Sequence, residues 1–161
     1  MTLEMASPLE VGIACRDLTR MRRFYEQVLG FSFISEYHVA ADKAAESALS
    51  AGSYTVVRLQ TSNGERIKLL APATPVPAEA PAAYILDKSN ATYLTFIIED
   101  IQAAIARLLQ EGIVFMTGDK PVEVRPGVYL AFCRDPEGNV LELVQYEDIS
   151  TYRTDLKQRN F

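Results

Sequence analysis

The sequence predicts an α+β chain made of two tandem βαβββ modules. Three observations carry that expectation. An apolar run closing on an acidic residue occurs twice, as VGIACRDL at 11–18 and LTFIIEDI at 94–101. Each run is followed by a stretch whose apolar residues recur at helical spacing. Each half then closes through a turn-rich segment containing glycine, TSNGE or DPEGN, that leads into an apolar strand, IKLLAP or VLELVQ.

The elements follow in order. Asp17 and Asp100 stand where a carboxylate can accept from the free amides that open a helix. Leu18, Met21, Phe24, Tyr25, Val28 and Leu29 form the apolar face of the first helix. Ile101, Ala104, Ile105, Leu108 and Leu109 form that of the second. Gly30 and Gly112 stop the two helices, because a residue just past a helix end often needs a left-handed backbone. Phe31–Ile34 and Ile113–Met116 are predicted as the short strands that come next. Residues 35–52 are predicted as a long loop or a short helix. Tyr54–Gln60 and Tyr129–Cys133 precede the two hairpins, marked by Gly64 and Gly138. The modules are predicted over 8–72 and 91–147, with a Pro/Ala linker at 73–90, since proline cannot join a central strand. The tail over 148–161 is predicted to hold a short helix.

Composition removes several classes. The chain has 161 residues, with 48% hydrophobic and 23% charged side chains, enough to bury a core without disulfides. Sixteen basic and 21 acidic side chains leave a net charge of −5. No basic stripe is present, which argues against a nucleic-acid partner. No apolar run approaches the length of a membrane span, so no membrane partner is expected. The N-terminus lacks a secretory pattern, and a cytoplasmic location is expected. The two cysteines, Cys15 and Cys133, each sit in an apolar run and are expected to be reduced core thiols. A single histidine, His38, excludes any site built from several imidazoles.

The segments VGIACRDLTRMRRFYEQVLGF at 11–31, TFIIEDIQAAIARLLQEGI at 95–113 and RDPEGNVLELVQ at 134–145 resemble the vicinal oxygen chelate superfamily. It is also called the glyoxalase/bleomycin resistance/extradiol dioxygenase family. The resemblance covers residues 8–147. It implies one domain over 1–161, of the glyoxalase/bleomycin resistance/dihydroxybiphenyl dioxygenase fold, with the modules forming a cupped half-barrel around a cleft. It also implies a homodimer. In metal-using members, ligands come from the first and last strand of each module. In this sequence those positions hold Glu10, Lys68, Tyr93 and Glu142.

Those residues depart from a metal site. A charged lysine has three donors and no lone pair. A divalent cation needs neutral imidazoles or anionic oxygens. No cofactor is therefore expected; a metal would have Glu10 and Glu142 as its carboxylate ligands. One reading makes Glu10, Lys68 and Glu142 an ion network that only holds strands together. Another makes Glu10 or Glu142 a general base, with Lys68 or Tyr93 steadying an oxyanion.

Further candidates lie nearby. His38, expected in a loop after the second strand, is the natural proton carrier near neutral pH. Tyr54, Arg58 and Tyr129 lie on strands expected to line the cleft; facing it, Arg58 would select an anionic ligand, and facing outward it is an ordinary solvent-exposed residue. Alternation puts Tyr54, Val56 and Arg58 on one strand face, and Tyr129, Ala131 and Cys133 on another. Arg20, Arg22 and Arg23 form a basic cluster that reads as a solvated helix face. The segment from Asp135 to Asn139 reads as a turn.

Three functions follow. The first is metal-independent proton transfer on a small oxygenated or aromatic carboxylate, as an isomerase or lyase. The second is sequestration of a drug or metabolite. The third is a lyase or dioxygenase that uses a divalent metal with atypical ligands.

Overall fold

The computed structural model describes residues 3–158. It divides into two units, Met1–Ala80 and Pro81–Phe161.

The first unit opens with β1 (Glu10–Ala14) and α1 (Leu18–Arg23). Asp17 caps α1 by accepting from the Arg20 amide at 2.9 Å. The helix then widens into one π-helical turn over Phe24–Val28, where the Leu29 amide donates to the Phe24 carbonyl at 3.0 Å. Gly30, with φ of 80°, lets the chain leave. Met21, Phe24 and Tyr25 are buried, and Tyr25 meets Phe24 and Phe31 edge to face.

β2 spans Ser32–Val39, so it runs well beyond the predicted Phe31–Ile34. A six-residue helix, α2 (Ala41–Glu46), follows, then β3 (Tyr54–Gln60) and β4 (Arg66–Pro72). The sheet order is β1-β4-β3-β2, with β1 parallel to β4 and the other pairs antiparallel. One face carries Ile13, Val57, Leu59, Ile67 and Leu69, all buried. The opposite face carries Glu10, Arg58, Arg66 and Lys68, because paired residues share a face and alternate along each strand.

The second unit repeats the plan. β5 (Tyr93–Ile97) leads to α3 (Ile101–Gln110), capped by Asp100, which accepts from the Ala103 amide at 2.9 Å. Ile101, Ile105 and Leu108 form the buried stripe of α3. Its end is a Schellman motif: Ile113 donates to the Leu108 carbonyl and Gly112 to that of Leu109, each at 3.0 Å. The first helix makes the matching exit one residue wider, from Phe31 to the Tyr25 carbonyl, to accommodate its π turn.

The strand predicted at Ile113–Met116 is not formed. Only Phe115 makes a bridge there, to Cys133. The fourth strand of this sheet is instead β6 (Val122–Arg125), an exposed edge strand. Then come β7 (Val128–Arg134) and β8 (Val140–Tyr146), in sheet order β5-β8-β7-β6. The turn between β7 and β8 is organised by buried Asp135, whose carboxylate accepts from the amides of Glu137 and Asn139 and from Asn139 Nδ2. The tail begins with α4 (Ile149–Tyr152), capped by Asp148, and a 3-10 turn over Thr154–Gln158. The tail expectation for 159–161 lies outside the described residues.

Candidate functional site

The register shows how the duplication places the site residues. Glu10 pairs with Arg66 in the first sheet, where Tyr93 pairs with Val140 in the second. Gly12 pairs with Lys68, where Thr95 pairs with Glu142. Arg58 pairs with Lys68, where Phe132 pairs with Glu142. All these residues lie on the sheet face away from the buried helix-side core of their own unit. The two faces have diverged in chemistry: the first is ionic, and the second is mostly aromatic and aliphatic.

In the first unit, Glu10 is held between two guanidinium groups. Arg58 Nε lies 3.9 Å from Glu10 Oε2, and Arg66 Nη1 lies 3.8 Å from Oε1. Arg58 also sits over the Tyr37 ring, 5.2 Å from its centroid. Arg66 is oriented by a 2.6 Å hydrogen bond from its Nε to Gln60 Oε1. Lys68, half-buried, shares the face with both arginines but has no anionic partner among the described residues of its unit. Three cations therefore stand against one carboxylate on this face. The partners of Glu10 within the unit are thus arginines. Sequence reasoning missed Arg66, although its place two residues before Lys68 put it on the same strand face.

In the second unit, Thr95 Oγ1 donates to Glu142 Oε2 at 2.6 Å. Thr95 was also missed, and the same alternation from Tyr93 would have found it. Tyr93 is half-exposed and meets Phe132 edge to face at 5.4 Å. Further along β8, Tyr146 shares the Glu142 face and stacks on Tyr152 of α4. Burial, then a hydrogen bond with Tyr152, raises the Tyr146 phenol above its ordinary pKa, and nearby Arg125 opposes this.

Three predicted residues sit elsewhere. His38 lies within β2, not in a loop, opposite Thr55. It is exposed on the edge strand, on the face shared with Glu36, away from Glu10 and Lys68. Glu36 confirms that orientation by pairing with Arg22 of α1 at 3.1 Å. Tyr54 shares the face of Arg58 but is buried in a small core with Ala44 of α2 and Val56. The helix that covers it was expected only as one of two options. Tyr129 is on the helix side of its sheet, in line with buried Ala131 and Cys133. Its hydroxyl donates to Glu147 Oε1 at 3.1 Å. That hydrogen bond, with the charges of Glu123 and Glu147, raises its pKa. His38 does not share the face of Glu10 and Lys68, and Tyr129 does not share the face of Glu142.

Comparison with known proteins identifies the family and the fold. The model of the Glyoxalase/Bleomycin resistance protein/Dioxygenase superfamily matches residues 8–143. The catechol-2,3-dioxygenase of Bacillus subtilis is 27% identical over 149 residues. That match takes in 89% of this chain and 42% of the relative, so the chain spans less than half of that protein. A glyoxalase family protein from Bacillus cereus has a similar structure, with a TM-score of 0.75, 21% identity, and coverage of 91% of this chain and 97% of the other. The trypanothione-dependent glyoxalase I of Leishmania major gives a TM-score of 0.65 at 20% identity, covering 93% of each chain. At these identities the structural likeness carries the fold alone.

Proposed function

The chain belongs to the glyoxalase/bleomycin resistance protein/dioxygenase superfamily, and we propose that within it this protein binds a small organic anion, of the carboxylate class, without a metal. The observation that carries this reading is the charge balance of the first sheet face. Glu10 occupies Arg58 and Arg66, one on each carboxylate oxygen. Lys68 is left as a half-buried ammonium beside them. A carboxylate placed there gains a charge-assisted hydrogen bond from Lys68 and a favourable field from both guanidinium groups.

The donor set does not fit a divalent cation. Glu10 is already engaged by two positive groups, and the strand position that would complete a site carries Lys68, whose ammonium offers no lone pair.

A second reading adds catalysis. Thr95 holds one oxygen of Glu142, which fixes the carboxylate and leaves its other oxygen to accept a proton. On that reading Glu142 is the general base for an isomerisation or elimination.

Titration with benzoate tests the binding reading. Lys68→Met is expected to weaken benzoate binding by roughly tenfold or more, the usual worth of a hydrogen bond to a charged group. Equal affinity in the variant would overturn the reading. For catalysis, Glu142→Gln is expected to remove turnover of a carboxylate substrate while leaving its binding within about twofold. Retained turnover would rule out Glu142 as the base.

A further inference from the structure

The first turn of the tail does something the anion reading leaves unused. Tyr152, at the end of α4, lies parallel to Tyr146, with ring centroids 4.3 Å apart and planes 9° from parallel. Tyr146 is on β8, on the same face as Val144 and Glu142, and pairs with Val128 on β7. The ring therefore stands on the non-helix face of the second sheet, with valines beside it and a carboxylate two same-face positions away.

α4 is only lightly tied down. It has no buried residue, and Tyr152 itself is 51% exposed. Local bonds order its first turn: Asp148 accepts from the Ser150 amide and hydroxyl, and the Asp148 carbonyl accepts from the Thr151 hydroxyl. Those bonds close the first turn without needing Tyr152. Moving the Tyr152 ring aside loses one stacked pair and its hydrogen bond to Tyr146, and opens no core. A site covered by so small a contact belongs to the low-stability end of a structure, where segments open readily.

We propose that Tyr152 is a displaceable cap on Tyr146, and that the uncovered Tyr146 ring takes a planar, uncharged aromatic group in its place. An aromatic ring is already stacked in parallel on Tyr146, the arrangement a ligand ring would take. A ligand that displaces Tyr152 regains a stack of the same kind, and a polar substituent on its ring can replace the hydrogen bond to the Tyr146 hydroxyl. The chain's own tail therefore lowers the affinity of this position for aromatic rings. The ligand here carries no charge, and its seat is built from Tyr146 and Tyr152 of the second unit, so it is independent of the anion reading.

The test uses the full chain, labelled at the tyrosine rings and followed by NMR. The probe is benzamide, with cyclohexanecarboxamide as its saturated counterpart. Benzamide is expected to shift the ring signals of both Tyr146 and Tyr152, moving Tyr152 toward solvent-like positions, while the saturated amide moves neither. Tyr152→Ala is expected to tighten benzamide binding roughly two- to tenfold, the factor an ordinary aromatic pair is worth. Tyr146→Leu is expected to abolish it. If Tyr146→Leu does not fold, Tyr152→Ala decides alone, since it alters only an exposed side chain. Unchanged or weaker binding in Tyr152→Ala overturns the proposal, as does the absence of any benzamide-dependent shift in the wild-type protein.

Discussion

Replacing Glu10 with glutamine separates the structural work of that carboxylate from its effect on a ligand. Glu10 faces Arg58 at 3.9 Å and Arg66 at 3.8 Å, with 28% of its side chain exposed. At an effective dielectric of about 20, each pair carries roughly 4 kcal/mol of bare attraction. Partial exposure and the cost of desolvation reduce that toward the value for accessible pairs, about 1 kcal/mol each. Glu10→Gln is therefore expected to cost about 2 kcal/mol. In a chain of 161 residues that lowers the melting temperature by about 4–8 °C. The same change leaves three cations without their counter-charge, so benzoate affinity is expected to rise, by roughly tenfold. Circular dichroism melts and calorimetric titrations at low salt measure both. In 1 M salt, where the screening length is about 3 Å, both differences should shrink. An unchanged melting temperature at low salt, or a fall in benzoate affinity, would refute the reasoning.

Other consequences concern the frame that holds these faces. Asp100→Ala removes the cap of α3 and is expected to cost about 1 kcal/mol, seen as a lower denaturation midpoint, with Asp100→Asn recovering most of it. Gly138 has φ of 93° and open space where a Cβ would stand, so Gly138→Ala should cost backbone strain alone, about 1–2 kcal/mol by chemical denaturation. Burial, helped by Asp135, pushes the Cys133 thiol from 9.0 up to about 11. The folded state therefore keeps that proton longer than the unfolded chain does. Its contribution is whole below pH of about 9 and is lost by about 11. Melts across that range should show a steeper loss in the wild type than in Cys133→Ala.

Much of the fold was legible because the duplication prints the same signals twice. Asp17 and Asp100 cap helices, Gly30 and Gly112 have left-handed backbones after them, and Lys68 and Glu142 occupy equivalent register positions. β6 was not legible. Val122–Arg125 alternates valine with charge beside Pro121 and Pro126, and it is exposed throughout, so burial leaves no apolar signature. The more apolar Ile113–Met116 drew the assignment instead. His38 was misplaced because β2 continues through mostly exposed residues, where hydrophobic patterning cannot show how far an edge strand runs. In the candidate site, the family resemblance supplied Glu10 and Lys68, and strand alternation grouped Arg58 with Tyr54 and Val56; the register puts Glu10, Arg58 and Lys68 on one face. The partner choice was not legible: whether Glu10 meets a lysine or two arginines depends on side-chain reach across the strands. Tyr129 failed for a simpler reason. Its own alternation set, with Ala131 and Cys133, was the buried side of the sheet.

On the proposed site, fixed cations of the Glu10, Arg58 and Lys68 face hold the anion without a metal. Benzoate affinity measured on the same wild-type preparation before and after exhaustive chelation addresses it most directly. The same affinity is expected in both, with no recovery to be gained from added divalent ions. Binding that disappears on chelation and returns when a divalent ion is restored would contradict it.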